Sequence, residues 1–240
     1  MLMMRFSEHL PLSRQRRLVR RLCGCTSGLA MVEFAFAAPL VLGMGMFGTD
    51  TASLVITHML VSQIATQTAD NASRVGTSNQ LSVYEVTEAD INETFVGAEK
   101  VGENIGIFTR GRIILSSLQR NAQGGQWIAW QRCRGAKNHP SSYGVQGNGA
   151  TGTGFAGMGR AGQEITAAQG TAVMFVEVAY DFDSLTPMNL FDEQQIVYTA
   201  VFNVRDNRNL SGGPSANGLF PGNPAAPVAS CSTYSANRPT

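Results

Sequence analysis

The sequence predicts an α+β protein, a long N-terminal helix followed by a small antiparallel sheet domain. Three observations carry this. Residues 29–49 form an apolar run that continues, with no proline or glycine from Thr49 to Val75, into a segment of helical periodicity, residues 112–132 read as a hairpin, and two later runs are rich in β-branched and aromatic residues. At 240 residues and 43% hydrophobic content the chain can bury one modest core.

The helix comes first. Between Leu29 and Thr49 the only charge is Glu33. About 21 helical residues rising about 1.5 Å each span about 30 Å, the thickness of a bilayer core. Arg5, Arg14, Arg16, Arg17, Arg20 and Arg21 precede this run, with Glu8 the one acid among them, and the next basic residue is Arg74. The net charge of +1 hides that asymmetry. By the positive-inside rule it places a basic leader, residues 1–28, in the cytoplasm, a transmembrane helix at 29–49, and everything from residue 50 outside. A cleaved secretory signal is the competing reading, set against an apolar run longer than an h-region and no clear A-x-A site. A buried core helix competes too, against the arginines.

Beyond Asp50 the helix turns amphipathic, over 50–76. Leu54, Val61, Ile64, Ala65, Thr68, Ala72 and Val75 recur at steps of three, four and seven, which puts them on one face. Asp70 and Arg74 form a favourably oriented i,i+4 pair, and Gly76 supplies a stop. Pro39 is expected to kink the first half. A short helix is predicted over 87–97, with Thr87 as N-cap and Ile91 and Phe95 on one face. Residues 112–118 and 126–132 flank the turn NAQGG, and residues 171–182 and 196–205 complete the strands. The outer α+β domain is thus 77–210, with a Gly-rich loop at 141–170, and 211–240 reads as a flexible tail.

Few residues point to chemistry. Gly152, Gly154 and Gly157 match G-x-G-x-x-G, but no apolar strand precedes them, so a flexible loop is expected rather than a dinucleotide site. His9, His58 and His139 are scattered, no Ser/His/Asp spacing stands out, and no cofactor or metal is expected; nothing argues for an enzyme. Cys23 and Cys25 lack a second ligand pair for zinc and read as juxtamembrane cysteines. Cys133 and Cys231 fall in the outer part, where an oxidising space would join them, two free thiols being the alternative.

Glu33 is the costly residue. A charge within a span costs about 2.5–3.5 kcal/mol at the bilayer centre and by default marks function. One reading has Glu33 snorkel to the nearby interface. The other starts from Gly28: cleavage after it would free an α-amine on Leu29, one turn from the carboxylate. An amine and a carboxylate on neighbouring subunits could neutralise each other and set assembly register.

The stretch GLAMVEFAFAAPLVLGMGMFGTD, with its arginine-rich leader, resembles a type IV prepilin-type N-terminus. It is similar to TadE/TadG-like proteins of the tight-adherence (Flp) pilus system, which pair an A-V-E-F-A stretch with a following proline, here Pro39. The resemblance covers about residues 28–70. It implies a pilin-like minor pseudopilin or assembly protein, anchored in the inner membrane of a Gram-negative cell and facing the periplasm. Its partners would be other pilus subunits and a prepilin peptidase cutting between Gly28 and Leu29. Glu33 would hold the acidic position of the motif, followed here by Phe34 where processed members often carry tyrosine. The alternative is a single-pass protein whose outer domain binds another envelope component or mediates adhesion.

Overall fold

The computed structural model describes residues 20, 27–78, 83–187, 191 and 194–240. The leader cysteines Cys23 and Cys25, His9 and the other leader arginines lie outside them. Two compact units emerge, residues 1–49 and 50–240.

Helix α1 runs Ser27–Arg74 and continues through Pro39. It is long and apolar enough to cross a membrane. Within the first unit Leu29, Met31, Phe34, Phe36, Val41 and Met44 are all exposed.

In the second unit the expected apolar face is buried at its centre and partly buried at its ends, Leu54 and Val75. Val61, Ile64, Ala65, Thr68 and Ala72 are each at most 1% exposed, whereas Gln63, Thr66 and Gln67 face outward. Asp70 bonds Arg74 at 2.8 Å. After α1 come the short strands β1 (Thr77–Ser78) and β2 (Tyr84–Thr87), then helix α2 (Glu88–Val101). Thr87 caps α2 in a capping box with Asp90, satisfying two backbone donors that the helix start leaves open. Ile91 and Phe95 are buried as their spacing required. The helix runs through Gly97 and ends at Gly102, because packing of Ala98 offsets the modest helix cost of one glycine.

A 3₁₀ turn at Glu103–Ile105 and the short α3 (Ile107–Arg110) lead into β3 (Gly111–Arg120). The remaining strands are β4 (Gln126–Arg134), β5 (Val173–Asp181), β6 (Gln195–Asn203) and β7 (Leu219–Phe220). The main sheet is antiparallel in the order β4-β3-β5-β6. A smaller sheet joins β1, β2 and β7, the last two in parallel.

Strand alternation divides the main sheet into two faces. One carries Ile113, Leu115, Trp130, Val176 and Val178 against α1 and α2, forming the principal core. The other carries Leu118, Ile128, Val173 and Phe175, and the Gly-rich segment lies on it. That segment forms no helix or strand, yet Tyr143, Phe155 and Ile165 pack onto the sheet, Tyr143 edge-on to Phe175 at 5.2 Å between ring centroids. The outer unit is therefore three layers: helices, sheet, loop.

Residues 211–240, expected as a flexible tail, run along the outer edge of β4. The β3–β4 register slips between Ser117 and Leu118, leaving Ala129 without a strand partner. Asn217 Nδ2 donates to the Ala129 carbonyl at 3.2 Å, while its own carbonyl accepts from Gln119. Further on, Cys133 N–H donates to Ala229 O and Gly135 N–H to Ser235 O, both at 2.9 Å. Only glycine fits at 135: φ is +131° and a Cβ would lie 2.2 Å from Gly111 O.

Candidate functional site

Two places could carry function, one in each unit. In the first, Gly28, Leu29, Glu33, Phe34 and Pro39 all sit on the exposed surface of α1. Leu29 is 62% and Phe34 72% exposed, and a Cβ on Gly28 would touch nothing. Among the described residues Glu33 has no hydrogen bond or ion pair. The arrangement is a bare helical surface carrying one carboxylate, with an unobstructed peptide bond at Gly28–Leu29 one turn before it.

In the second unit Val55, Ile56 and Met59 are 54%, 64% and 69% exposed, on the side of α1 turned away from the core. Further along the same side it becomes polar at Gln63, Thr66 and Gln67. Asp50 does not face solvent. It is fully buried and accepts from the backbone N–H and hydroxyl of Thr186, at 3.0 and 2.5 Å. A carboxylate directly after an apolar run reads as a membrane boundary, but here it ties α1 to the loop after β5.

The second place is a cleft of about 560 Å³ on the loop-covered face of the sheet. Its walls include His139, Ser141 and Gln146 of the loop and Val228 and Tyr234 of the tail, and the Cys133–Cys231 disulfide lines it too. The two cysteines that the compartment argument joined are thus bonded, 98 residues apart in sequence.

Arg112, 1% exposed, reaches the cleft from the start of β3. Its guanidinium donates to the carbonyls of Gly135, Cys231 and Thr233 at 2.7–3.0 Å and stacks 4.0 Å from the Tyr234 ring centroid. Burial pulls its pKa below the usual arginine value. It serves as a clamp on the tail.

Other polar groups near the cleft are held by neighbours. Arg132 pairs with Glu88 at the start of α2. Glu177 is 1% exposed; His139 Nε2 lies 2.9 Å from its carboxylate, and Ser141 Oγ and Ser142 N–H donate to it at 3.1 Å. Serine and histidine both address the same carboxylate rather than each other, so this cluster lacks the nucleophile–base contact that acyl transfer needs. Its chemistry is retention of the loop on the sheet.

Gly152, Gly154 and Gly157 precede no helix. A Cβ on Gly157 would lie 2.2 Å from Ile165 O, at the bridge between Met158 and Ile165, so that glycine belongs to a tight crossing of two loop strands. Among the described residues no group of three His, Cys, Asp or Glu side chains could hold a metal.

Sequence reasoning missed Arg112, Glu177 and Arg208. The signal was a charge in the middle of an apolar strand, as Glu177 in VMFVEVAYD, since a charge there is retained only with partners. Arg208 follows no strand pattern at all. It donates to the carbonyls of Ala72 and Val75 at 3.2 and 2.7 Å, closing the end of α1, and burial lowers its pKa to about 10. No family model, no curated protein and no solved structure matches this chain.

Proposed function

We propose that the chain is a membrane-anchored minor pseudopilin or assembly protein of a tight-adherence (Flp) type IV pilus, acting as a structural or initiation subunit. The observation that carries this is the exposed apolar stretch of α1 within the second unit. About 20 residues suffice to span a bilayer. Exposed Val55, Ile56 and Met59 lie well past that length from Leu29, in a unit that otherwise buries most of its large apolar side chains. A mere anchor has no use for them, whereas a helix that packs laterally against other subunits does.

In this proposal the N-terminus is cytoplasmic and the outer unit periplasmic, across the inner membrane of a Gram-negative cell. A prepilin peptidase cuts between Gly28 and Leu29, and the unpartnered Glu33 pairs with the new amine of a neighbour. The role is architectural, not catalytic. The second reading, an anchored binder, is favoured by the cleft beside the disulfide.

N-terminal sequencing of the membrane-purified protein and piliation of a Glu33→Gln strain separate the two. Mature protein starting at Leu29 and loss of surface pili, at normal membrane levels, support the subunit. Loss of one partner of a buried ion pair costs about 3–5 kcal/mol, more than a hundredfold in association. Uncut protein with wild-type piliation would leave the binder as the better account.

A further inference from the structure

The two edges of the main sheet are treated differently. Along β4, the tail and the loop at 147–148 take up backbone groups at Ile128, Cys133 and Gly135, while Gln146 Oε1 accepts from Gln131 N–H. At the opposite edge, β6 pairs with β5 on one side, and among the described residues nothing pairs with the other. An open edge is usually blunted by charge, proline, a bulge or shortness. Strand β6 reads QIVYTAVFN: nine residues with no charge, no proline, no glycine and an unbroken register with β5.

Which groups face outward follows from the ladder. Phe182 N–H donates to Gln194 O, and Val204 N–H donates to Ala172 O. Antiparallel bonding alternates, so the even-numbered residues turn their backbone groups toward β5. Those of Gln195, Val197, Thr199, Val201 and Asn203 point to the open side.

We propose that this edge pairs with β6 of a second copy of the chain, antiparallel about a two-fold axis at Thr199, joining two four-stranded sheets into one. The occupant is named by the strand's own symmetry. Centred on Thr199, the register pairs all nine residues: Thr199 with itself, Val197 with Val201, Gln195 with Asn203, Tyr198 with Ala200 and Ile196 with Phe202. Amide meets amide, β-branched meets β-branched, and apolar meets apolar, while no like charges oppose. The five outward residues exchange about ten backbone hydrogen bonds. Tyr198, Ala200 and Phe202, packed on the core yet only partly buried, gain cover from the partner. A two-fold contact of this kind closes on itself and stops at the dimer. This inference is independent of the pilus reading.

The test uses the full chain in detergent, with Cys23→Ser and Cys25→Ser removing other thiols. Thr199→Cys should cross-link to a dimer under mild oxidation, because facing residues lie about 5.5 Å apart between Cα atoms. Gln195→Cys and Asn203→Cys should each stay monomeric on gels and cross-link when mixed. Thr199→Lys, at an exposed position, should raise the dimer dissociation constant at least about tenfold by opposing two ammonium groups, with an unchanged melting temperature at dilutions where the unsubstituted chain is monomeric. Amide exchange at Val197, Thr199 and Val201 should slow as concentration rises. A chain that stays monomeric by sedimentation at the highest soluble concentration would overturn the proposal. So would Gln195→Cys cross-linking alone as readily as Thr199→Cys, or association indifferent to Thr199→Lys.

Discussion

The two units put the same side-chain chemistry to opposite use. Residues 27–49 expose leucine, methionine and phenylalanine freely and hold one carboxylate without a partner. Residues 50–240 bury charged groups such as Asp50, Arg112, Glu177 and Arg208, and each finds hydrogen-bonding partners. Water penalises both the exposed apolar surface and the buried charge. The second unit answers the second penalty internally, whereas the first unit leaves its large apolar side chains uncovered by the chain itself. The difference teaches that the outer unit carries its own specification for stability and the N-terminal helix depends on its environment.

That contrast can be broken from either side. The largest effect should come from the disulfide. Cys231→Ser opens a loop of 98 residues and should cost the outer unit about 4–5 kcal/mol by the chain-entropy model. Urea unfolding, followed by the fluorescence of Trp127 and Trp130, would show it. The N-terminal helix should give the mirror image. Met44→Arg in the apolar run should cost about 2.5–3.5 kcal/mol of insertion and shift protein out of the membrane fraction. The outer unit's urea midpoint should stay where it was, and a shift in that midpoint would contradict the contrast.

Arg208→Met tests a single buried charge. It removes the donor from Ala72 O and Val75 O and should destabilise by about 1–3 kcal/mol, with amide exchange accelerating in the last turn of α1. Thr87→Ala should cost about 1 kcal/mol through loss of the α2 cap. The smallest effect concerns acid. Glu99, hydrogen-bonded to Arg134 and then to Arg238, has its pKa held below the ordinary glutamate value, so its contribution is present above that value and lost as pH falls through the folded-state pKa. Glu99→Gln should flatten the stability–pH curve below that ordinary value and, near neutrality, lower it without changing its slope.

Much of this was legible in order along the chain. The buried face of α1 from Val61 to Ala72, the Thr87 cap and the β3–β4 hairpin depend on neighbours a few residues apart, where periodicity and turn chemistry act. The Cys133–Cys231 bond was legible for another reason: the expected topology separates the four cysteines and leaves these two together. The illegible parts are relations. Nothing local says that β3 sits between β4 and β5, that Asn217 meets the bulge at Ala129, or that Arg208 closes a helix ending at Arg74.

By itself the sequence determined where helix and strand would form, which face of each would be apolar, and that the first 20 or so helical residues need apolar surroundings, because these follow from spacing along a regular backbone. Tertiary structure alone decided that Asp50 binds Thr186 instead of marking a surface, that the C-terminal segment packs on β4 instead of trailing, and that β6 is left at the edge. Those outcomes depend on which distant segment arrives to satisfy a buried polar group, and a donor such as Arg208, 133 residues from the Val75 carbonyl it caps, leaves no periodic trace.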